Sequence, residues 1–319
     1  MHAALVTSFD RPPQYAEVSD PEATSADELL VEVRASGLHP RVRSGASGAH
    51  YASSTALPLI PGVDGTGVLG GGQRVYFAAL DSAHGAMADL TVIRRRAYIP
   101  LPDGADDVTV AAAVNPAMSS WVPLRRRAAL QPGQRVLVLG ATGSAGQMAV
   151  QIAKRLGAGW VAAAGRDPER LAALPALGAD GIISLAGSDA GIAAEVQKNA
   201  ADTDVVIDYL WGAPAERILP AMLAARSDPS QPLTWVHIGA MGGPEASVPS
   251  VALRSHNLTI LGSGQGAVST ADFVREIAAL IDEIAAGALM IDALPVPLSD
   301  VEAVWNSAES HTHRVVFQP

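Results

Sequence analysis

Residues 135–159, RVLVLGATGSAGQMAVQIAKRLGAG, constrain the fold more than any other stretch of the chain. A short apolar run is followed by glycines at 140, 143 and 146, and then by apolar residues that recur every three or four positions. This pattern predicts a buried strand, a tight turn and an amphipathic helix. The free N–H groups and the positive dipole end of such a helix attract the pyrophosphate of a dinucleotide.

Each glycine of this loop has a predicted task. Gly140 permits the tight turn, Gly143 lets the backbone approach a phosphate, and Gly146 lets the helix pack on the strand. The spacing is Gly-x-x-Gly-x-x-Gly rather than Gly-x-Gly-x-x-Gly, so the motif alone also fits a turn that binds nothing. The surrounding strands and helices favour a nucleotide loop. Its expected cofactor contacts are Thr142, Gly143, Ser144 and Ala145.

Beyond about residue 105, strand-like and helix-like segments alternate. Five further apolar runs follow the first strand: WVAAAG, GIISL, DVVIDYL, LTWVHIGA and LTILGSG. Strands separated by helices predict an α/β fold, with a doubly wound parallel Rossmann sheet of six strands. The earlier residues instead show alternating strands and many turn residues. We therefore expect a Rossmann domain at 117–264, inserted in a β-rich domain formed by residues 1–116 and 265–319.

The residues after the predicted strand WVAAAG (160–165) indicate which dinucleotide binds. An acidic residue about 20 positions beyond the last glycine suits the ribose of NAD, whereas arginine suits the 2′-phosphate of NADP. That position holds Arg166, with Arg170 one turn further on. Asp167 is a competing ribose ligand, but an Asp before Pro168 is also a normal helix N-cap. The sequence favours NADPH and leaves NADH as the alternative.

Charge and composition narrow the classes of partner. The formal charge of −10 argues against nucleic acid or an anionic membrane surface as a partner. The chain contains no cysteine, which excludes disulfides, thiolate nucleophiles and thiolate zinc sites. Because the N-terminus lacks a signal-peptide pattern and no apolar window approaches 18 residues, we expect a cytoplasmic protein.

Several segments together carry a family resemblance along the whole chain. They are VRASGLHP (32–40), LPLIPGVDGTGVL (57–69), PLPDGADDVTVAAAVNPAMSSW (100–121), LQPGQRVLVLGATGSAGQMAVQIAKRLGA (130–158), DVVIDYLWG (204–212), ILGSG (260–264) and HRVVFQP (313–319). Because these segments occur in this order, the chain resembles the zinc-independent quinone oxidoreductases of the medium-chain dehydrogenase/reductase superfamily. The resemblance implies that the β-rich part is a GroES-like catalytic domain, that NADPH is the cofactor and that the protein is a homodimer.

The resemblance also bears on zinc. Zinc alcohol dehydrogenases of this superfamily have a cysteine near the SGLHP position and a His-Glu pair where this chain has Val63 and Asp64. Their structural zinc needs four cysteines, and this chain has none. His39 alone cannot hold zinc, and the pair His311 and His313 is isolated in the sequence. We expect no metal.

Further cofactor contacts are expected from the resemblance and from the strand ends. Family members place the NPAMSSW segment near the nicotinamide, which suggests Asn115 and Ser119, with helix capping or packing as the alternative. Ligands of open parallel sheets bind at the carboxyl ends of the strands. The residues expected there are Gly165, Gly239, Ser263 and Gly264.

The catalytic residues are less well indicated. Tyr51 would donate a proton or hydrogen bond to the substrate oxygen as hydride arrives, and His39 is the other candidate acid. The alternatives are that Tyr51 is only a half-buried aromatic residue and that His39 is a loop histidine with its hydrogen bonds satisfied. We interpret Asp64 as structural. The predicted function is metal-free, NADPH-dependent reduction of a small-molecule quinone or α,β-unsaturated carbonyl. An NADPH-binding redox sensor or structural protein with little turnover is the alternative.

Overall fold

The computed structural model describes residues 1–49, 56–80, 84–264 and 266–319, apart from the side chain of His311. The chain divides into two compact units. We call Met1–Asn115 with Ala278–Pro319 the first unit, and Pro116–Ile277 the second unit.

The secondary structure of the described residues follows in chain order. The strands are β1 (His2–Leu5), β2 (Gln14–Glu17), β3 (Glu28–Gly37), β4 (Asp64–Leu69), β5 (Arg74–Ala78), β6 (Leu90–Arg94), β7 (Tyr98–Pro100), β8 (Arg135–Leu139), β9 (Trp160–Gly165), β10 (Gly181–Ser184), β11 (Val205–Asp208), β12 (Leu233–His237), β13 (Leu258–Gly262), β14 (Ala293–Pro297) and β15 (Arg314–Gln318). The α-helices are α1 (Pro40–Ala46), α2 (Asp107–Arg126), α3 (Ser144–Arg155), α4 (Pro168–Ala173), α5 (Asp189–Ala200), α6 (Gly212–Ala225), α7 (Ser250–Ser255), α8 (Thr270–Ala285), α9 (Val301–Val304) and α10 (Glu309–Thr312). No helix in the described part of the chain is long and apolar enough to cross a membrane.

The first unit is built on a seven-stranded sheet. Its strand order is β14-β15-β3-β4-β5-β7, and β6 also pairs with β3. In β3, Val31 and Val33 are buried while Glu32 and Arg34 are exposed, as the alternating pattern predicts. The apolar core beneath this sheet includes the fully buried Phe77.

Three local elements of the first unit differ from the sequence expectation. Residues 40–46 form the short helix α1 where only strands and turns were expected. Pro40 suits the first position of a helix, because its fixed φ is already helical, and Val42 and Ala46 are buried. Near the C-terminus, the sequence of residues 295–319 predicts one short helix and a last strand. The structure instead forms two short helices, α9 and α10, and the additional strand β14 before the last strand.

The second unit is a doubly wound parallel sheet. Its strands run in the order β10-β9-β8-β11-β12-β13, and every neighbouring pair is parallel. Numbered from β8, this is the order 3-2-1-4-5-6 of a Rossmann fold. All six predicted strands are present, so the α/β fold class is confirmed. Helices on both faces bury the sheet, and Leu137, Val206 and Trp235 lie in its core.

The second unit also contains a buried carboxylate on α8. Glu276 is 1% exposed. Its Oε2 accepts from Trp121 Nε1 at 3.0 Å and from Arg125 Nε at 2.5 Å, and its Oε1 accepts from Arg126 Nε at 2.6 Å. The Arg125 guanidinium also lies over the Trp121 ring, 4.9 Å from its centroid. These contacts tie α2 to α8 within the second unit.

Candidate cofactor and substrate sites

The parallel sheet of the second unit presents one edge formed by the carboxyl ends of its strands. The last residues of the strands that end there include Leu139, Gly165, Asp208, His237 and Gly262. Because all these strands are parallel, the loops that follow them share that edge. In open α/β sheets, this is the edge at which ligands bind.

The glycine loop between β8 and α3 leaves an open approach for a ligand. Gly140 has φ of 85°, and its N–H donates to the carbonyl of Ala164 at 3.0 Å. A Cβ on Gly146 would lie 2.2 Å from the Gly140 carbonyl oxygen, whereas a Cβ on Gly143 would meet its nearest neighbour at 3.9 Å. Gly143 is the N-cap of α3 and supplies no side-chain cap. The first turn of a twelve-residue helix therefore begins beside an exposed glycine, and this geometry fits a bound pyrophosphate.

The end of β9 lies directly against this loop. A Cβ on Gly165 would lie 2.5 Å from Cγ2 of Thr142, so the Thr142 side chain packs directly on the Gly165 backbone. Arg166 follows Gly165 and is exposed. The structure thus brings Thr142, Gly143 and Arg166 to the same part of the strand-end edge.

Asp167 caps helix α4. Its Oδ1 accepts the backbone N–H groups of Glu169 at 3.0 Å and Arg170 at 3.1 Å. Its Oδ2 lies 3.6 Å from Nε of Arg170. The capping interpretation made from Pro168 is confirmed, because both carboxylate oxygens of Asp167 face its own helix.

Ser119 reaches the strand-end edge through a partner that the sequence did not indicate. Its hydroxyl donates to the carbonyl of Pro116 at 2.6 Å and lies 2.8 Å from the Tyr209 hydroxyl. Tyr209 directly follows β11, and burial raises its pKa to about 12. The Ser119 hydroxyl is thus engaged within the protein. Asn115 is half-buried and belongs to the first unit.

A buried carboxylate organises the loop after β11. Asp208 is fully buried; its Oδ1 accepts from the N–H groups of Leu210 at 2.8 Å and Trp211 at 3.0 Å. Its Oδ2 accepts from Trp235 Nε1 at 3.0 Å, and burial raises the pKa of this carboxyl. Trp211 has φ of 51°, and its ring lies 4.7 Å from that of His237. These contacts hold the loop in one conformation beside the predicted binding edge.

The other residues predicted at strand ends also lie at this edge. The N–H of Gly239 donates to the carbonyl of Asp208 at 3.2 Å, and that of Ser263 donates to His237 at 2.8 Å. A Cβ on Gly239 would lie 3.1 Å from the Tyr209 carbonyl, whereas Gly264 is exposed with open space around it.

The first unit contains a separate buried polar cluster, which we call the His39 cluster. It consists of His39, Asp64, Tyr76 and Arg314, all less than a tenth exposed. Nε2 of His39 lies 3.2 Å from Oδ1 of Asp64, and the Tyr76 hydroxyl donates to Oδ2 of Asp64 at 2.7 Å. Nη1 of Arg314 donates to the carbonyl of Leu38 at 3.0 Å. The structural role predicted for Asp64 agrees with this burial and bonding.

Burial shifts the titration of the His39 cluster. It is the main cause that lowers the pKa of His39, and the main cause that raises the pKa of Tyr76 well above 10. Burial also lowers the pKa of Arg314 to about 10, although the nearby charge of Asp64 opposes that effect. At neutral pH the cluster therefore holds a neutral imidazole, a protonated phenol and a charged guanidinium.

Two further expectations concern Tyr51 and zinc. Tyr51 lies outside the described residues. Zinc needs three or four ligands, and the described residues contain no group of three His, Cys, Asp or Glu side chains placed to share an ion. His313 pairs with Asp292, at 2.6 Å between Nδ1 and Oδ2, and no cysteine exists in the chain. The donor set that the structure describes does not fit a zinc ion.

Comparisons with known proteins agree on the kind of protein. The family of zinc-binding dehydrogenases matches residues 145–285. A probable NADPH-dependent quinone reductase of Emericella nidulans is 29% identical, over the full length of both chains. The quinone oxidoreductase of Thermus thermophilus, solved also in complex with NADPH, is 27% identical, covers all of both chains and superposes with a TM-score of 0.77. A chloroplastic NADPH-dependent alkenal/one oxidoreductase of Arabidopsis thaliana is 27% identical over 48% of this chain and 44% of its own.

Fold, motifs and relatives agree on one class of protein. The chain is similar to the quinone oxidoreductases of the medium-chain dehydrogenase/reductases. This class consists of oxidoreductases, and the resemblance drawn from the sequence segments is confirmed.

Proposed function

We propose that this oxidoreductase uses NADPH to reduce a quinone or an α,β-unsaturated carbonyl compound and needs no metal. One structural observation carries the choice of cofactor. Asp167 is committed to capping α4, while Arg166 is exposed beside the glycine loop. An arginine at this place suits the 2′-phosphate that distinguishes NADPH from NADH. The full-length relatives from Emericella nidulans and Thermus thermophilus are described with the same cofactor.

The residues that would hold the cofactor have distinct tasks. The backbone of Thr142, Gly143, Ser144 and Ala145 would bind the pyrophosphate at the start of α3, where the helix dipole is positive. Arg166 and Arg170 would bind the 2′-phosphate through charge-assisted hydrogen bonds. When bound, NADPH supplies a hydride from its nicotinamide.

The remaining predicted contacts would position the nicotinamide end. Gly165, Gly239, Ser263 and Gly264 follow or end strands of the parallel sheet, where close backbone approach is possible. Ser119 would act through Tyr209, since its hydroxyl is already bonded to that side chain. Asn115, Tyr51 and His39 remain predicted contacts of the cofactor or the substrate.

The substrate class rests on the relatives. A quinone and an α,β-unsaturated carbonyl both offer a conjugated acceptor for hydride. The relatives include a probable quinone reductase and an alkenal/one oxidoreductase. An NADPH-binding protein with little turnover is the competing function, and it would bind the cofactor without consuming it.

Steady-state turnover separates these functions. Purified protein treated with a chelator is mixed with NADPH and either 9,10-phenanthrenequinone or trans-2-hexenal, and the loss of NADPH absorbance is followed. The reductase proposal predicts catalytic consumption of NADPH with at least one acceptor, unchanged by the chelator. Tight NADPH binding without consumption would support the sensor or structural protein. Activity that disappears with the chelator and returns with zinc would contradict the metal-free mechanism.

The homodimer and the cytoplasmic location stay predictions. The chain has a mass of 32.7 kDa, so light scattering of a dimer would give twice that value. A mass equal to that of one chain would contradict the dimer.

A further inference from the structure

The order of the strands in the second unit divides the strand-end edge into two halves. Strand β8 lies in the middle of the sheet, with β9 on one side and β11 on the other. A dinucleotide lies across the point where the strand order reverses, with one nucleotide on each side of its pyrophosphate. Arg166 follows β9, so the proposed function puts the adenosine 2′-phosphate on the β9 side. The nicotinamide therefore belongs on the side of β11 and β12.

Two aromatic rings lie on this nicotinamide side. Trp211 is in the loop after β11, and His237 is the last residue of β12. Their ring centroids are 4.7 Å apart, and the ring planes are inclined by 41°. Trp211 also packs against the apolar core of the parallel sheet. Both residues are only half-buried, so the second unit holds the ring pair in place and leaves part of its surface accessible.

The backbone at Trp211 has a conformation that favours glycine. Its φ is 51° and its ψ is −158°, which strains a residue that carries a side chain. The buried carboxylate of Asp208 accepts the N–H groups of Leu210 and Trp211, and the N–H of Gly242 donates to the Leu210 carbonyl at 2.6 Å. These bonds fix the strained loop. Residues in such conformations cluster at ligand sites, which agrees with the place of Trp211 at the strand-end edge.

We propose that the indole of Trp211, supported by the His237 ring, stacks on the nicotinamide ring of the bound cofactor. This inference rests on the proposed function, because it assigns a further residue to the same cofactor site. The nicotinamide is a flat conjugated ring, and flat rings that stack on an aromatic side chain gain more than their buried area alone provides. The contact would fix the plane of the ring that gives up the hydride.

Two ligands separate this contact from the rest of the cofactor site. NADPH carries both nucleotide halves, whereas adenosine 2′,5′-bisphosphate carries the 2′-phosphate and lacks the nicotinamide. Trp211→Gly removes the indole and suits a backbone with positive φ. We expect calorimetry to show that it weakens NADPH binding about 5- to 50-fold and leaves the affinity for adenosine 2′,5′-bisphosphate unchanged. Trp211→Phe keeps an aromatic ring and should retain most of the NADPH affinity.

Trp160 supplies a matched control. It is also half-buried, but it begins β9, at the opposite edge of the sheet. Trp160→Ala should change neither affinity. A spectroscopic readout is independent of affinity, because energy transfer from tryptophan to bound NADPH falls steeply with distance. At saturating NADPH, the emission of the cofactor excited through tryptophan should fall more in Trp211→Phe than in Trp160→Phe.

The outcomes distinguish this inference from the proposed function. If the wild type binds both ligands and Trp211→Gly weakens neither, or weakens both equally, the inference is overturned while the cofactor assignment stands. A larger loss of transferred emission in Trp160→Phe than in Trp211→Phe would overturn it as well. If the wild type binds neither ligand, the cofactor assignment of the proposed function fails, and the inference falls with it.

Discussion

A Cβ atom on Gly146 would lie 2.2 Å from the carbonyl oxygen of Gly140. The first turn of α3 therefore packs directly on the turn that ends β8, and no side chain fits between them. Three residues earlier, Gly143 has space around it and an ordinary φ of −83°. Two glycines of one motif thus have different physical roles.

Alanine substitutions at these two glycines should differ in their effect on stability. Gly146→Ala forces backbone apart and should lower the free energy of unfolding by about 1–3 kcal/mol, with loss of cofactor binding. Gly143→Ala should leave the thermal midpoint nearly unchanged and weaken NADPH binding, because its methyl group lies where phosphate would approach. Thermal denaturation and fluorescence titration measure the two effects. Equal stability loss in both variants would refute the separate roles.

Removal of the Asp167 side chain tests whether it serves the helix or the cofactor. Asp167→Ala should lower the free energy of unfolding by about 1 kcal/mol, the usual cost of a lost N-cap. The ratio of the NADPH and NADH dissociation constants should stay the same. A selective change in NADH affinity would instead identify Asp167 as a ribose ligand.

Glu276 should be important for the stability of the second unit. It is buried and accepts hydrogen bonds from Trp121, Arg125 and Arg126, but the side chains of both arginines are more than a third exposed. Removal of the Glu276 carboxylate leaves the buried indole N–H of Trp121 without an acceptor, whereas the two arginine side chains can be hydrated. We expect Glu276→Ala to cost about 2–3 kcal/mol in urea denaturation, less than a fully buried ion pair would. Asp272→Ala, at a half-buried neighbour on α8, should cost less. Equal losses would show that the Glu276 contacts contribute little.

The buried imidazole predicts a pH dependence of stability. Burial lowers the pKa of His39 below 6.5 in the folded state, so below 6.5 the unfolded chain binds more protons. The free energy of unfolding should be highest above pH 6.5 and should fall as the pH drops through the folded-state pKa. His39→Gln removes this contribution, so its urea midpoint should fall less than that of the wild type between about pH 8 and about pH 5. If the urea midpoints of the two proteins changed equally with pH, the lowered pKa of His39 would be contradicted.

The fold could be predicted from the sequence because its signals are local. Each strand of the parallel sheet is a short apolar run, and the helix after the glycine loop repeats its apolar residues at helical spacing. The cap at Asp167 was visible from Pro168 alone. Helix α1 was missed because its serine and glycine resemble a turn.

The polar clusters could not be predicted in the same way. His39 and Arg314 are 275 positions apart in the sequence, and Asp64 and Tyr76 come from two other strands. Ser119 and Tyr209 meet across 90 positions. No periodicity or spacing rule indicates such pairs, because the tertiary fold alone brings them together. The sequence indicated His39, Asp64 and Ser119 one by one, but not the partners Tyr76, Arg314 and Tyr209.

Titration with NADPH and NADH, followed by nicotinamide fluorescence, tests the cofactor assignment most directly. The wild type should bind NADPH at least about tenfold more tightly than NADH, a difference of about 1.4 kcal/mol, and Arg166→Ala should remove most of that difference. Lys198→Ala is the control, because it removes an exposed positive charge near the C-terminus of α5, at the opposite edge of the sheet. Equal or tighter binding of NADH by the wild type would contradict the assignment of NADPH and of Arg166 as its 2′-phosphate ligand.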